Sequence, residues 1–306
     1  LQWDQIKTLL ILSFLILNIY LLVQFTEKQE QADLSVLEHT ESTIEDQLEA
    51  ENIKIPNLSN KKYNETFISV APKLIVNDEL KKLKELKNQD NEVIQNRLIV
   101  SKIDEPIKVS ERSNQENLNN LLDELVLFPD SYSLWEWNEQ ANMIVYFQEK
   151  IDRPIYYNQS GLVLFYLNEQ NEITHYTQTV LGEDEENEDS RDLITSMRAI
   201  ETLYDSDKLE SNDEITSVEM GFHTRVPLDS GVQVFAPTWE VEVNDESRYF
   251  VNAIEEVIFA SEHEKFFKET LMNIKEKVGL IENKKIDQEK LLEILDKKIS
   301  LIDGSA

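Results

Sequence analysis

The sequence predicts an α+β protein: one membrane-spanning N-terminal helix, an outside part of two helix-plus-antiparallel-meander units, and a helical tail. Three observations predict it. Residues 6–25 form an apolar run whose charge is confined to Lys7. Between residues 57 and 259, helical stripes alternate with short β-type runs separated by polar Asn/Glu turns. After Phe259 the pattern turns wholly helical. These shifts divide the chain into an anchor (1–28), a juxtamembrane helical stalk (29–56), two α+β units (57–182 and 183–259) and a tail (260–306).

The first element is an anchor by length. Its 20 residues span about 30 Å as a helix, the thickness of a bilayer's hydrocarbon core. A cleaved export signal has a shorter apolar centre followed by small residues, and Val23-Gln24-Phe25-Thr26-Glu27 offers none. Trp3 and Tyr20 lie near the two ends, where amphipathic rings favour the interface. Nearly all the polar chain follows the helix, so the expected orientation is N-terminus in the cytoplasm and C-terminal domain outside the cell. Asn18 costs free energy in lipid unless its amide finds a partner. It lies on one helical face with Ile11, Phe14, Leu15, Leu22 and Phe25, the candidate face for another membrane helix. The bland alternative is an amide that merely reaches the headgroup region.

Leu34, Leu37, Ile44 and Leu48 then mark the helical stalk, ended by Ile53-Lys54-Ile55-Pro56. Residues 57–66 read as a loop, 67–70 and 74–76 as strands, and 78–88 as a Lys-rich helix capped by Asp78. Residues 96–103 and 106–109 read as extended. A helix capped by Ser113 or Asn114 carries Leu118, Leu121, Leu122, Leu125 and Val126. Strands are expected at 133–137, 143–148, 161–168 and 172–181, completing the first meander. Residues 183–189 hold six carboxylates in seven positions, without the glycine turn of a calcium loop. They read as a charge run before the N-terminus of a helix at 190–204, where the dipole favours anions. Strands at 214–226, 232–236, 238–243 and 248–253 complete the second unit, with helices gathered on one side of an antiparallel sheet. In the tail, Phe267, Leu271, Ile274, Val278 and Ile281 form one stripe; Leu291, Leu295, Ile299 and Ile302 form another. Such helices usually pack on their own domain, and Gly279 bends or ends the first.

Composition removes whole classes of function. Sixty acidic against 30 basic residues give a net charge of −30, which opposes nucleic-acid binding. The last 46 residues carry only about −1 of it. With no cysteine, disulfides, thiolate nucleophiles and Cys-type zinc sites are excluded. Catalytic residues, cofactor-binding residues and metal ligands are all expected to be none. The four histidines (His39, His175, His223, His263) lack ligand spacing, and His263-Glu264 lacks the second His of a zinc-protease helix. Six glycines assemble neither a phosphate loop nor a nucleophile elbow.

Three separated segments carry a family resemblance. W-D-Q-I-K-T-L-L-I-L-S-F-L-I-L-N-I-Y-L-L at residues 3–22, R-A-I-E-T-L-Y at 198–204, and Q-V-F-A-P-T-W-E-V-E-V at 233–243 followed by Y-F-V-N-A at 249–253 resemble the YycI family. The last pair also resembles a PepSY-type strand pair. The resemblance covers about residues 1–258 and leaves the tail outside its pattern. It implies a YycH/YycI-like fold and a non-catalytic, membrane-anchored accessory regulator of the WalK/WalR (YycG/YycF) two-component system, which governs cell-wall turnover in low-GC Gram-positive bacteria. It further implies a heterodimer with YycH and contact with the WalK sensor kinase through membrane helices, which supplies Asn18 with a candidate partner. The alternative is an extracellular surface protein that binds or modifies the wall.

Overall fold

The computed structural model describes residues 43–59, 61–109, 115–186, 190–224, 231–259 and 263–304, together with residues 3, 7, 12–15, 17, 18, 20 and 22. By contacts the chain divides into Leu1–Lys54 with Glu210–Asn212, and Ile55–Leu209 with Asp213–Ala306.

In the first unit, the described residues up to Leu22 are helical. The expected anchor lies largely outside the described residues, and among those described no helix is long and apolar enough to cross a membrane. Only the end of the expected stalk is described, as helix α1 (Ile44–Ala50). Thr43 starts it with a capping box: its hydroxyl accepts the Asp46 N–H at 3.3 Å, and the Asp46 carboxylate accepts the Thr43 N–H at 3.0 Å. The Asn52 amide donates to Asn212 at 2.9 Å, and the Ser211 hydroxyl donates to Glu51 at 3.1 Å.

The second unit is built on a large mixed sheet. Its strands are β1 (Asn64–Glu65), β2 (Ile68–Pro72), β3 (Gln89–Ile94), β4 (Leu98–Lys108), β5 (Tyr132–Asn138), β6 (Met143–Lys150), β7 (Arg153–Tyr156), β8 (Leu162–Leu167), β9 (Glu172–Gln178), β10 (Leu181–Glu186), β11 (Arg191–Asp192), β12 (Ile215–His223), β13 (Gln233–Val243), β14 (Ser247–Asn252) and β15 (Ile258–Phe259). Thirteen of these join one sheet in the order β10-β2-β13-β12-β7-β6-β8-β9-β4-β3, with β14 on β13, β15 on β14 and β5 on β6; β1 and β11 pair separately. The helices are α2 (Asp78–Glu85), α3 (Gln115–Leu125), α4 (Ser196–Asp205), α5 (His263–Val278) and α6 (Gln288–Ile302).

The continuous apolar runs of β6 and β8 explain the layering. Side chains alternate across a strand, so a run apolar at every position is buried on both faces. Met143, Val145, Phe147, Leu162, Leu164 and Tyr166 pack with Phe267, Leu271, Ile274, Leu291 and Leu295 of α5 and α6. The intervening Ile144, Tyr146, Val163 and Phe165 pack with Leu83 of α2 and Leu118, Leu122 and Leu125 of α3. Helices therefore cover both faces, not one as the sequence suggested. The tail is one of these two covers, and α5 stops at Val278, directly before Gly279.

Other expectations change for local reasons. β7 pairs with β12 in parallel, so the sheet is mixed rather than wholly antiparallel. Part of the acidic run is strand β10, antiparallel to β2, while Lys150 lies 3.5 Å from Asp184. The following helix, α4, starts only at Ser196, where the Thr195 hydroxyl accepts the Arg198 N–H. Asp78 opens α2 from inside, paired with Lys81, while Asn77 occupies the cap position with φ 43°. Residues 74–76 are not a strand, whereas polar β3 is one because it pairs with β4 along its whole length.

Strand β13 runs unbroken through Pro237. On one side its first residues pair with β2 and Thr238–Val243 pair with β14. Pro237 falls between the two partners, where its missing N–H breaks neither ladder.

Candidate functional site

The face expected to meet another membrane helix is only partly described. Phe14, Leu15, Asn18 and Leu22 are helical and exposed, and their spacing places them on one face. Ile11 and Phe25 lie outside the described residues. Lys7 sits 5.5 Å from the centre of the Trp3 ring, a cation over an aromatic face.

The second unit contains a polar cluster that the sequence reading missed. The hairpin of β13 and β14 sets Glu242 directly opposite Arg248, and strand alternation places Glu240 on the same face as Glu242. The Arg248 guanidinium donates from Nε to Glu242 at 3.1 Å and lies 3.4 Å from the Glu240 carboxylate. Glu136 of β5 approaches within 3.7 Å, and the guanidinium caps the Trp135 ring at 4.2 Å. Glu136 also lies 3.2 Å from His263 Nε2, the first residue of α5, and accepts the Asn138 amide at 3.0 Å. One arginine thus ties β5, β13 and β14 together, and Glu136 extends the network to the tail. The signal in the sequence was W-E-V-E-V, two carboxylates at a strand's period of two within an otherwise apolar segment.

Burial sets the electrostatics of this cluster. The Glu240 carboxyl, 6% exposed, is pushed up to about 7 by burial, against the opposing pull of Arg248. The Tyr156 hydroxyl beside it is held well above its ordinary value by burial, with Glu240 adding to the effect. Burial also opposes the charge on Arg248, but Glu240, Glu242 and Glu136 together hold its pKa above the ordinary value.

Aromatic rings pack around the cluster. Trp135, Tyr156, Tyr157 and Phe250 meet with ring centres between 5.0 and 6.3 Å apart. Gly221 permits this packing, since a Cβ there would fall 2.2 Å from the Tyr156 ring. Two of the histidines that the sequence scatters reach the same region. His223 stacks on Phe259 at 4.5 Å, and His263 Nδ1 lies 3.3 Å from the Tyr157 hydroxyl. His175 is buried on β9, and His39 lies outside the described residues. Burial lowers both His175 and His223 to about 4, so both are neutral near pH 7. Among the described residues no group of three or more His, Asp or Glu is arranged to hold a metal. The cluster's chemistry is proton uptake near neutral pH and the tying of strands to a helix.

A crystal structure of an uncharacterized protein from Eubacterium rectale is similar at a TM-score of 0.42 and 10% identity, over 69% of this chain and 89% of that one. YycH from Bacillus subtilis is similar at a TM-score of 0.40 and 10% identity, over 65% of this chain and 54% of the YycH chain. No curated protein matches this chain. The family model described as YycI protein matches residues 31–254, taking in the strands that carry the Arg248 cluster and stopping short of the tail. Matched over most of its length, the chain belongs to the YycI family.

Proposed function

We propose that this chain is a non-catalytic, membrane-anchored regulator that modulates the WalK sensor kinase together with YycH, and so affects cell-wall metabolism genes. The observation that carries the reading is membership of the YycI family over residues 31–254. The apolar run at 6–25 supports a single-pass signal anchor with its N-terminus in the cytoplasm and the sheet outside the cell. In this reading 57–182 and 183–259 are the two extracellular units and 260–306 is the tail that covers them. Contact with WalK is through membrane helices, using the face of Ile11, Phe14, Leu15, Asn18, Leu22 and Phe25. Pairing with YycH is through the outside part, where strands at the edges of the sheet suit a partner strand better than its faces, which helices cover.

The test is capture of the full-length protein from membranes solubilised in a neutral detergent. A WalK-type histidine kinase and a YycH protein are expected to co-elute. Intact protein that brings down neither would overturn the reading. Saturable binding to purified wall, or release of wall fragments, would instead support the surface-protein alternative.

A further inference from the structure

Away from the Arg248 cluster, a cavity of about 680 Å³ opens between α6 and two turns of the sheet. Its walls include Trp137 and Gln140 near the β5–β6 turn, Asn168 and Glu169 in the β8–β9 turn, and Ile294 and Lys298 of α6. The volume lies in the range of small-molecule sites. The wall is amphipathic, with apolar surface from Trp137 and Ile294 beside side-chain amides.

Lys298 is the unusual member. It is 4% exposed, yet among the described residues no carboxylate lies within ion-pair distance of it. Its ammonium donates to the Asn142 carbonyl at 2.8 Å and the Leu167 carbonyl at 2.7 Å, which uses two of its three protons. The acidic groups nearby do not neutralise it. Glu169 pairs with the neighbouring Lys297 at 2.6 Å, and Glu139, in the β5–β6 turn, is exposed. A buried ammonium without a carboxylate carries a desolvation cost that dipoles of two carbonyls offset only in part. The surroundings are also held in place: the Asn142 amide donates to the Asn168 carbonyl at 2.7 Å, and the Gln140 amide to the Leu301 carbonyl at 2.9 Å. The two turns and the helix thus form a prepared cradle rather than a loose surface.

We propose that this cavity binds the carboxylate of a small, partly apolar molecule, with Lys298 as the cation that receives it and Trp137 and Ile294 as the apolar wall. A carboxylate supplies the missing counter-charge and the third acceptor in one group. Two sources share this chemistry, a free short-chain acid and the C-terminal end of a peptide. The site owes nothing to the regulatory reading above and stands or falls apart from it. Burial, with Lys297 adding to it, lowers Lys298 to about 8, so the ammonium that the ligand needs is present at pH 7 and mostly lost by pH 9.

The full-length protein in neutral-detergent micelles, titrated calorimetrically with 3-methylbutanoate, with acetyl-alanyl-alanine and with the amide of each, tests this. At least one acid is expected to bind at pH 7 with a Kd of about 1 mM or tighter, and its amide at least about tenfold more weakly. Affinity for that acid is expected to fall about tenfold between pH 7 and pH 9 as Lys298 deprotonates. The variant Lys298→Met is expected to lose binding. Binding of 3-methylbutanoate alone assigns the site to free acids, and binding of the dipeptide alone to chain ends. No heat from either acid at about 10 mM, or equal binding of acid and amide, overturns the proposal; both results come from the unaltered protein. Undiminished binding by Lys298→Met would overturn the role given to that residue.

Discussion

Arg248 sits among three carboxylates, and burial pushes one of them, Glu240, up to about 7. Its folded-state pKa is raised from 4.5 to about 7, so between those values the folded chain holds a proton that the unfolded chain has lost. This contribution is fully present below pH 4.5 and is lost as pH rises through 7. His175 and His223 act in the opposite sense: lowered from 6.5 to about 4, they cost stability as pH falls through that window. The two trends are separable by substitution. Glu240→Gln should gain stability relative to the unaltered protein as pH rises from 4.5 to 8, measured by urea unfolding at both ends. A pH-independent difference between the two would remove Glu240 as the source. Asn18 makes a second prediction at this scale. Interhelical hydrogen bonds in membranes are worth about 0.6–2 kcal/mol, a useful part of the 1–3 kcal/mol typical of coupling between sites. Asn18→Leu should alter output of wall-turnover genes at normal protein level, while Leu10→Ala, largely off the proposed face, should not. Equal, unaltered output from both would exclude Asn18 from signalling. W-E-V-E-V displayed the carboxylates of the buried cluster, but the arginine that meets them became visible only once the hairpin register was known.

At the scale of elements, the tail helices are as much a part of the core as the strands. Phe267, Leu271, Leu291 and Leu295 are fully buried against β6 and β8. Phe267→Ala should cost about 3–5 kcal/mol and Leu295→Ala about 2–5 kcal/mol, measured by chemical unfolding. Removing residues 260–306 should be more severe, exposing Met143, Val145, Phe147, Leu162 and Leu164 together and leaving an aggregation-prone chain by size-exclusion chromatography. A monomeric truncated protein with an unchanged melting temperature would contradict the packing of the tail helices on β6 and β8. The tail's own helical stripes were legible because a period of 3–4 apolar residues needs no partner to be recognised. Where the acidic run belonged was not legible: β10 is a strand because β2 lies beside it, and carboxylates at a sheet edge do not announce a strand.

At the scale of the whole molecule, a net charge of −30 gives long-range self-repulsion that salt screens. Raising ionic strength from about 0.01 M to about 0.1 M shortens the screening length from about 30 Å to about 10 Å and should raise the melting temperature. A fall on adding sodium chloride would mean that paired charges such as Arg153–Glu65 and Lys275–Asp296 outweigh the repulsion. The proposed pairing with YycH also belongs to this scale: this protein's second unit and YycH, mixed at about tens of micromolar, should sediment as a heterodimer, and two separate monomers would count against the pairing.

What the sequence determined by itself was local in origin: the α+β class, most strands from β5 to β14, helix α3 and the two tail helices. Periodicity, turn residues and breakers act within a few residues of each other, and so do the signals they leave. Family membership was legible for the same reason, as short ordered segments at 198–204 and 233–253. The tertiary structure alone decided the order of the strands, the parallel join of β7 to β12 and the helical cover on both faces. It also decided the meetings of Glu136 with His263 and of Lys298 with the carbonyls of Asn142 and Leu167. Those depend on pairings between segments far apart in the chain, where many arrangements bury similar apolar area and only the packed whole selects one.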